Sequence, residues 1–261
     1  MQIRHVTSKS NQALKEFRRP APAGEFALVE GPKLLLDALE AGVGFEHVAV
    51  EKGHIERHRE LLEQCARAGA DLISIPSNLL SGISDVVTSQ GICALLRPQH
   101  ITLAMLPLGG NPLLLVADGV QDPGNLGAMI RSAVAFGADA LIALPGCADI
   151  WSAKTIRGSA GACFRLPSAR APTGDTFEFL RESKIQTFAL DTSGQTKLGD
   201  SDLGGRCAII VGSEGSGLSE EVVRAVEQTV RIPISETSES LNAAVAAAIA
   251  LYAASIQRTR K

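Results

Sequence analysis

An arginine within an almost wholly apolar helical stretch is the first residue that calls for a chemical explanation. Arg131 lies in "DPGNLGAMIRSAVAFGA", residues 122–138, which opens as a turn with Asn125 as a candidate N-cap. From Leu126 onward the residues are apolar on nearly every face, which is typical of a buried helix. An ionised side chain away from water is costly unless it is paired, so Arg131 needs a partner.

A carboxylate in a glycine-rich junction is the second such feature. In "CAIIVGSEGSGLSEEV", residues 207–222, an apolar strand leads through a turn into a helix that opens at Ser219. Free backbone N–H groups at such junctions favour a nucleotide loop, but the glycine spacing is not GxGxxG and no Walker lysine follows. An ordinary tight connection explains the glycines almost as well. It does not explain Glu214, which lies at the strand's carboxyl edge, where open α/β sheets bind ligands.

The third feature is the polar entrance to a long alanine-rich helix, "VRIPISETSESLNAAVAAAIALYAAS", residues 230–255. Ser238 or Ser240 could cap this helix. The alanines allow another backbone to approach closely, and a core helix with an N-terminal cap explains them. For Ser240 and Asn242, a capping role and a functional role are equally supported.

The elements that must position these residues alternate between short apolar runs and helical patterns, which predicts βα units and a parallel sheet. The predicted strands are Phe26–Val29, Val48–Val50, Leu72–Ile75, Ile92–Leu96, Leu113–Ala117, Ala140–Leu144, Thr187–Leu190, Ala208–Val211 and Val230–Ile232. The predicted helices are Pro32–Ala41, Arg57–Ala68, Leu126–Phe136, Thr176–Glu182, Ser219–Glu227 and Leu241–Gln257. A Pro/Gly-rich stretch predicts two domains, residues 1–97 and 112–261, joined by a linker at 98–111.

Composition narrows the function classes. The 261 residues carry a net charge of −3, so nucleic-acid binding would have to rest on local basic patches. Aromatic residues make up 4% of the chain, which is poor for a platform that stacks single-stranded bases. The five scattered cysteines never form CxxC, which favours free thiols in a reducing compartment over disulfides or zinc. No signal peptide and no membrane-length apolar run is evident, so we expect a soluble, cytoplasmic protein without a metal.

Together, "DPGNLGAMIRSA", "VGSEGSGLS" and "IPISETSESLNAAVA" resemble the signature motifs of the SpoU-type 2′-O-ribose RNA methyltransferases, members of the SPOUT superfamily. The resemblance covers residues 113–257 and includes "WSAKTIRGSAGACFRLP" at 151–167. "TSKSNQALKEF" and "GEFALVEGPKLLLDAL" are similar, less tightly, to that family's L30e-like substrate-binding domain. Ile234 departs from the family's frequent Met, and the linker is longer than needed.

This resemblance implies an α/β fold: a smaller L30e-like domain followed by a parallel-sheet domain that contains a deep trefoil knot. It also implies a homodimer. S-adenosylmethionine would be held mainly by backbone groups near the cofactor-binding candidates Leu190, Gly212, Ile232 and Leu241.

The implied reaction is methyl transfer to a ribose 2′-hydroxyl, and the catalytic candidates are Asn125, Arg131, Glu214, Ser240 and Asn242. The resemblance places Arg131 beside the target ribose with Glu214 as its ion-pair partner. Asn125 would fix the loop or bind substrate, while Ser240 and Asn242 would position the cofactor and Arg131. Because a guanidinium has a very high pKa, we expect Arg131 to orient the acceptor rather than to act as the general base.

Basic residues supply the candidates for RNA binding: Arg4, Lys9, Lys15, Arg18 and Arg19 near the N-terminus, and Arg157, with Lys154 beside it. Composition alone favours ordinary solvated faces for these residues. We expect a structured RNA substrate, with 23S rRNA favoured over tRNA. The alternatives are a tRNA 2′-O-methyltransferase and a non-catalytic L30e-like RNA-binding protein. A Rossmann dehydrogenase is disfavoured by the glycine spacing.

Overall fold

The structure is a computed structural model that describes residues 1–18, 25–84 and 89–259. It divides into two compact units. One comprises Met1–Gln99 with Trp151–Ile156, and the other comprises His100–Ile150 with Arg157–Lys261. The division after Gln99 lies within the predicted linker, whereas the grouping of Trp151–Ile156 with the first unit was not expected from the sequence.

The first unit is built on a five-stranded sheet in the order β1-β4-β3-β5-β2. Strand β5 is antiparallel to β2 and β3, so the predicted parallel sheet is wrong for this unit. The reason is that a short buried run such as Ile92–Leu96 specifies burial on both faces but not strand direction. The elements are β1 (Arg4–His5), α1 (Gln12–Arg18), β2 (Ala27–Glu30), α2 (Pro32–Glu40), β3 (Gly44–Glu51), α3 (Arg59–Arg67), β4 (Asp71–Ile75), α4 (Ser77–Leu80) and β5 (Ile92–Arg97).

The second unit contains a seven-stranded sheet in the order β10-β12-β9-β11-β6-β7-β8, and every pairing in it is parallel, which confirms the prediction for this half. The central strands β6 and β11 are buried along their whole length. The elements from β6 onward are β6 (Leu113–Ala117), α5 (Pro123–Ala135), β7 (Ala140–Ala143), α6 (Ala153–Gly158), β8 (Ser168–Arg170), α7 (Thr173–Glu182), β9 (Gln186–Leu190), β10 (Thr196–Lys197), β11 (Cys207–Val211), α8 (Glu220–Ala225), β12 (Gln228–Arg231) and α9 (Ala243–Thr259).

Helix α5 begins earlier than its apolar pattern indicates. Asp122 is the N-cap, since its side chain accepts a hydrogen bond from the Asn125 backbone N–H at 2.9 Å, and Pro123 opens the helix. Asn125 is therefore not the cap, and its side chain is available for other contacts. One face of α5 is buried, while Arg131 is exposed on another. The expectation of a helix buried on nearly every face is wrong.

Helix α9 is capped by Asn242 rather than by Ser238 or Ser240. The Oδ1 of Asn242 accepts hydrogen bonds from the backbone N–H groups of Ala244 at 2.9 Å and Val245 at 3.2 Å. Its fully buried positions include Ala247, Ala250 and Ala254. Because these side chains are small, α9 packs closely against α5 and β11.

All five cysteines are buried and unpaired. Burial raises the pKa of the Cys65 thiol to about 12 and that of Cys163 to about 11, so both stay protonated at neutral pH. Among the described residues, no helix is long and apolar enough to cross a membrane.

Candidate functional site at the carboxyl edge of the parallel sheet

A cleft opens where β9, β11 and β12 end, at one edge of the second sheet. Its lining includes all four residues that the resemblance assigns to the cofactor, Leu190, Gly212, Ile232 and Leu241. Two of the proposed catalytic residues, Glu214 and Ser240, line the same cleft. Parallel strands end at a common edge, which is why residues of the second and third motifs meet there with residues at the end of β9.

Other lining residues were missed from the sequence. Asp191 and Thr192 directly follow β9, and Ile234 follows β12. Asp191 is a partly exposed carboxylate whose Oδ1 accepts hydrogen bonds from the backbone N–H and the hydroxyl of Ser193, at 2.7 and 2.6 Å. A polar residue at the carboxyl end of a predicted strand was the available signal.

The glycines of the second motif shape a tight turn. The backbone N–H groups of Ser213 and Gly217 each donate to the other residue's carbonyl oxygen at 3.0 Å. A Cβ on Gly212 would lie 2.4 Å from the Gly217 carbonyl carbon, and Gly217 has φ of +67°. Both glycines are thus required by the backbone, and the turn presents Glu214 at its exposed tip.

Glu214, Asn125 and Asn242 form a closed hydrogen-bonded group, here called the amide–carboxylate network. The Asn125 Nδ2 donates to Glu214 Oε1 at 2.8 Å. The Asn242 Nδ2 donates to the same oxygen and to Asn125 Oδ1, the latter at 3.1 Å. Asn242 also caps α9, so the capping role is confirmed, while its functional role stays a prediction. One residue from each motif meets its counterparts here.

Arg131 lies outside this network, and the expected ion pair with Glu214 is absent from the described part of the chain. The two asparagine amides satisfy Glu214 instead. Arg131 is six residues beyond Asn125, which puts it about 120° around α5 and about 9 Å along its axis. Its guanidinium is exposed to water and so needs no internal partner. Asn242 consequently positions Glu214 and Asn125 rather than Arg131.

An apolar groove lies between α5 and α9. On α9 it is lined by Val245, Ile249 and Tyr252, which are 48%, 37% and 53% exposed. These residues recur at helical spacing, so they form one stripe along the helix. The Tyr252 ring packs edge-on against Phe136, with 5.6 Å between ring centroids.

The basic candidates differ in their surroundings. Arg4 pairs with Asp71, and this contact raises the pKa of Arg4 and neutralises its charge locally. Lys9, Lys15 and Arg18 are exposed, and the Arg18 Nη1 donates to the Lys9 carbonyl at 3.2 Å. Arg19 lies outside the described residues.

Two further basic candidates, Lys154 and Arg157, lie on α6 within the "WSAKTIRG" stretch. Arg157 is exposed in the last turn of the helix, and Lys154 is exposed in its first turn. Neither residue lines the cleft.

A second polar group, here called the His47 network, was not foreseen from the sequence. The His47 Nε2 lies 2.9 Å from Glu16 Oε2, and its Nδ1 lies 3.0 Å from Asp71 Oδ2. The residues tie α1, β3 and β4 together. Glu16, Glu46 and His47 have the residue types of a metal site, but His47 is engaged by Glu16 and Asp71, and Glu46 by Arg97. The expectation of no metal stays a prediction.

The fold and the site define an α/β protein with a cleft at the carboxyl edge of a parallel sheet, and comparisons with known proteins specify the class. The model of the SpoU rRNA Methylase family matches residues 112–252. The model for RNA 2′-O ribose methyltransferase substrate binding matches residues 28–102. The chain belongs to the SpoU methyltransferase family.

Individual relatives agree. A tRNA/rRNA methyltransferase of Mycobacterium sp. strain KMS is 35% identical over 95% of this chain and 82% of its own length. The crystal structure of an AdoMet-bound rRNA methyltransferase from Sinorhizobium meliloti is 27% identical, with a TM-score of 0.85 over 97% of this chain and 98% of its own. A solved RNA 2′-O ribose methyltransferase is 31% identical, with a TM-score of 0.80 over 98% and 99% of the two chains. This chain is therefore an RNA methyltransferase that uses S-adenosylmethionine.

Proposed function

We propose that this protein methylates a ribose 2′-hydroxyl in a folded element of large-subunit rRNA. The observation that carries the proposal is the amide–carboxylate network beside the cleft, which joins the three motifs at one point. The match to a 2′-O ribose methyltransferase substrate-binding model and the resemblance to solved rRNA methyltransferases support the ribose target and the rRNA substrate.

The cleft has the chemistry that S-adenosylmethionine requires. Leu190, Ile232 and Leu241 provide apolar walls for a flat adenine ring, and Gly212 contributes to the lining beside them. Asp191 and Glu214 contribute negative charge, which favours a cationic sulfonium. When bound, the cofactor supplies an electrophilic methyl group on that sulfonium. Ser240 would hold the cofactor from the third motif.

The chain's own residues would align the acceptor. The exposed guanidinium of Arg131 is suited to pairing with an RNA phosphate and orienting the ribose, because it has no competing partner among the described residues. A guanidinium is a poor general base, so the hydroxyl proton would leave late or to water. Asn125 and Glu214, held rigidly by Asn242, would fix the turn against which the ribose binds.

RNA recognition is assigned to the first unit. The exposed Lys9, Lys15 and Arg18 form the proposed phosphate-binding patch, with Arg4 a weaker contributor because it pairs with Asp71. Arg157 would contribute from the second unit. With few aromatic residues for stacking, the protein is suited to RNA read by its shape and its 2′-hydroxyls.

We also propose a homodimer built on the groove between α5 and α9, because Val245, Ile249 and Tyr252 form an apolar stripe exposed in one chain. Replacing Tyr252 with glutamate should shift the protein toward monomer by placing a charge in that apolar interface. Sedimentation at micromolar concentration measures the change, with Val223→Glu on exposed α8 as the control. A wild-type protein that sediments as an active monomer would contradict the dimer.

The trefoil knot and the cytoplasmic location belong to the same proposal. A close backbone approach supports the knot: a Cβ on Gly194 would lie 2.8 Å from the Val230 carbonyl carbon, and Arg231 donates to the Gln195 carbonyl at 2.6 Å. These contacts fasten the segment after β9 against β12. The five free, buried thiols support a reducing compartment.

The test is to map 2′-O-methyl groups in rRNA and tRNA from a strain with and without the gene, and to repeat the reaction with purified protein. Loss of one ribose methylation in large-subunit rRNA is expected. A lost tRNA methylation would assign the tRNA alternative. Binding of RNA without transfer of methyl groups would favour the non-catalytic alternative.

A further inference from the structure

Asp118 is a buried carboxylate beside the cleft that no motif assignment includes. It directly follows β6 and is 5% exposed. Its backbone N–H donates to the Val211 carbonyl at 2.9 Å, and its Oδ2 accepts from the Ser219 backbone N–H at 2.6 Å. Val211 ends β11, and Ser219 is the N-cap of α8. Asp118, at the end of β6, is thus hydrogen-bonded to the residues on both sides of the turn at residues 212–218.

The turn's internal bonds do not fix its position on the sheet. The reciprocal Ser213–Gly217 hydrogen bonds and the 2.7 Å contact between the Ser213 and Ser216 hydroxyls lie within the turn, so they determine only its internal shape. The β6–β11 ladder holds the first end of the turn as far as the Ala117–Val211 pair, and the Asp118 N–H continues it by one bond. The Asp118 side chain fastens the second end, at Ser219. Because the turn carries Glu214 and lines the cleft, its placement sets the width of the cleft and the position of the network.

Burial of a carboxylate is costly unless its oxygens are hydrogen-bonded. Among the described residues, no lysine or arginine pairs with Asp118. The Ser219 amide is therefore the compensating partner, and a bond from an amide to a charged oxygen is stronger than one between neutral groups.

We propose that Asp118 is a positioning residue that holds the turn, and with it the cofactor cleft and Glu214, in register with the sheet. The inference rests on the proposed use of this cleft for S-adenosylmethionine. It does not depend on which RNA is methylated.

Asp139 offers a matched control, because it is hydrogen-bonded to Leu113 at the opposite end of β6. Its Oδ2 accepts from the Leu113 backbone N–H at 2.7 Å, and its backbone N–H donates to the Leu113 carbonyl at 2.8 Å. Asp139→Ala therefore removes an equivalent bond at the edge remote from the cleft. We expect Asp118→Ala to raise the Kd for S-adenosylmethionine about tenfold, measured by calorimetry, while Asp139→Ala lowers Tm comparably and leaves the Kd unchanged.

Asp118→Asn should largely restore affinity, because the amide oxygen can still accept the bond from Ser219. Wild-type affinity in Asp118→Ala, or an equal loss in Asp139→Ala, would overturn the inference. If the wild-type protein itself fails to bind S-adenosylmethionine, the cofactor assignment of the cleft fails instead, so the two failures are distinguishable.

A second pair of variants tests the donor and does not require Asp118→Ala to fold. Ser219 has φ of −68°, which proline adopts, so Ser219→Pro removes the N–H that Asp118 accepts. Ser219→Ala removes only the hydroxyl that caps α8 through the Val222 N–H. Weaker cofactor binding in Ser219→Pro than in Ser219→Ala supports the role of Asp118, and equal binding in the two variants refutes it.

Discussion

The two polar networks of this protein both join residues that are distant in sequence, but they lie in different environments. The amide–carboxylate network is exposed, at the edge of the parallel sheet. The His47 network is half-buried: the His47 side chain is 12% exposed and lies between Glu16 and Asp71. Exposed polar contacts contribute little to folding stability, whereas polar groups away from water must be satisfied for the fold to hold. This difference is the basis for our proposal that the first network serves chemistry and the second serves structure.

The largest effect is expected from Arg131→Ala. Methyl transfer should fall by about a hundredfold or more if Arg131 orients the acceptor as we propose, while the Kd for S-adenosylmethionine stays near the wild-type value. Single-turnover kinetics and calorimetry measure the two quantities. Arg181→Ala, on exposed α7, is the control.

The variant Arg131→Lys tests which property of the Arg131 side chain is needed, its charge or its two-pronged hydrogen bonding. Since Arg131 does not pair with Glu214, a partial rescue by lysine would indicate phosphate contact by charge alone, and no rescue would indicate bidentate recognition. Wild-type activity in Arg131→Ala would remove Arg131 from the site.

Glu214→Ala should reduce methyl transfer about tenfold or more, because Asn125 and Asn242 lose their shared acceptor. Its Tm should stay within about 2 °C of the wild type, since the side chain is exposed. Scanning calorimetry measures Tm, and initial rates measure methyl transfer. A large fall in Tm with unchanged activity would reverse the functional assignment of this network.

His47→Ala should have the opposite effect: it should lower the stability of the protein without weakening the binding of S-adenosylmethionine. Removing the imidazole takes one hydrogen-bond partner from Glu16 and one from Asp71, so Tm should fall by about 3–6 °C. The Kd for S-adenosylmethionine should not change, because the cleft is built wholly from the second unit. His100→Ala, at an exposed position, is the control. Unchanged Tm would show that the His47 network is not structural.

The smallest effect is a pH dependence centred on Asp71. Its pKa is lowered, first by the hydrogen bond from Arg4 and then by the charges of Arg4 and His47, against the opposing effect of partial burial. A lowered folded-state pKa gives stability that is present above the unfolded value, about 4, and is lost as pH falls through the folded value. The Tm difference between wild type and Asp71→Asn should therefore be full at pH 7 and shrink below about pH 4. A difference independent of pH would contradict the pairing with Arg4.

Much of the second unit was predictable because its signals are local. Runs such as Leu113–Ala117 and Ala208–Val211 are buried on both faces, and helices between them require parallel connections. The four cofactor candidates came from the family resemblance, and the structure places all four in the lining of one cleft. The short elements β1, β8, β10 and α4 carry too few residues for a periodic pattern.

The first unit was harder, because strand direction is a property of the whole chain path. Nothing in Ile92–Leu96 distinguishes a parallel from an antiparallel neighbour. The His47 network likewise depends on pairings over long sequence separations, which the local pattern around His47 does not encode.

The sequence by itself determined the family, the three motifs and the parallel sheet of the second unit, because motif spacing and strand burial are local or periodic properties. Only the tertiary structure decided the partners. In the structure Glu214 is hydrogen-bonded to Asn125 and Asn242 rather than paired with Arg131. Asp118 is hydrogen-bonded to the residues at both ends of the glycine-rich turn. Such contacts depend on helix phase and strand order: about 9 Å of axial rise and about 120° of rotation about α5 separate Asn125, which contacts Glu214, from Arg131, which is exposed to water.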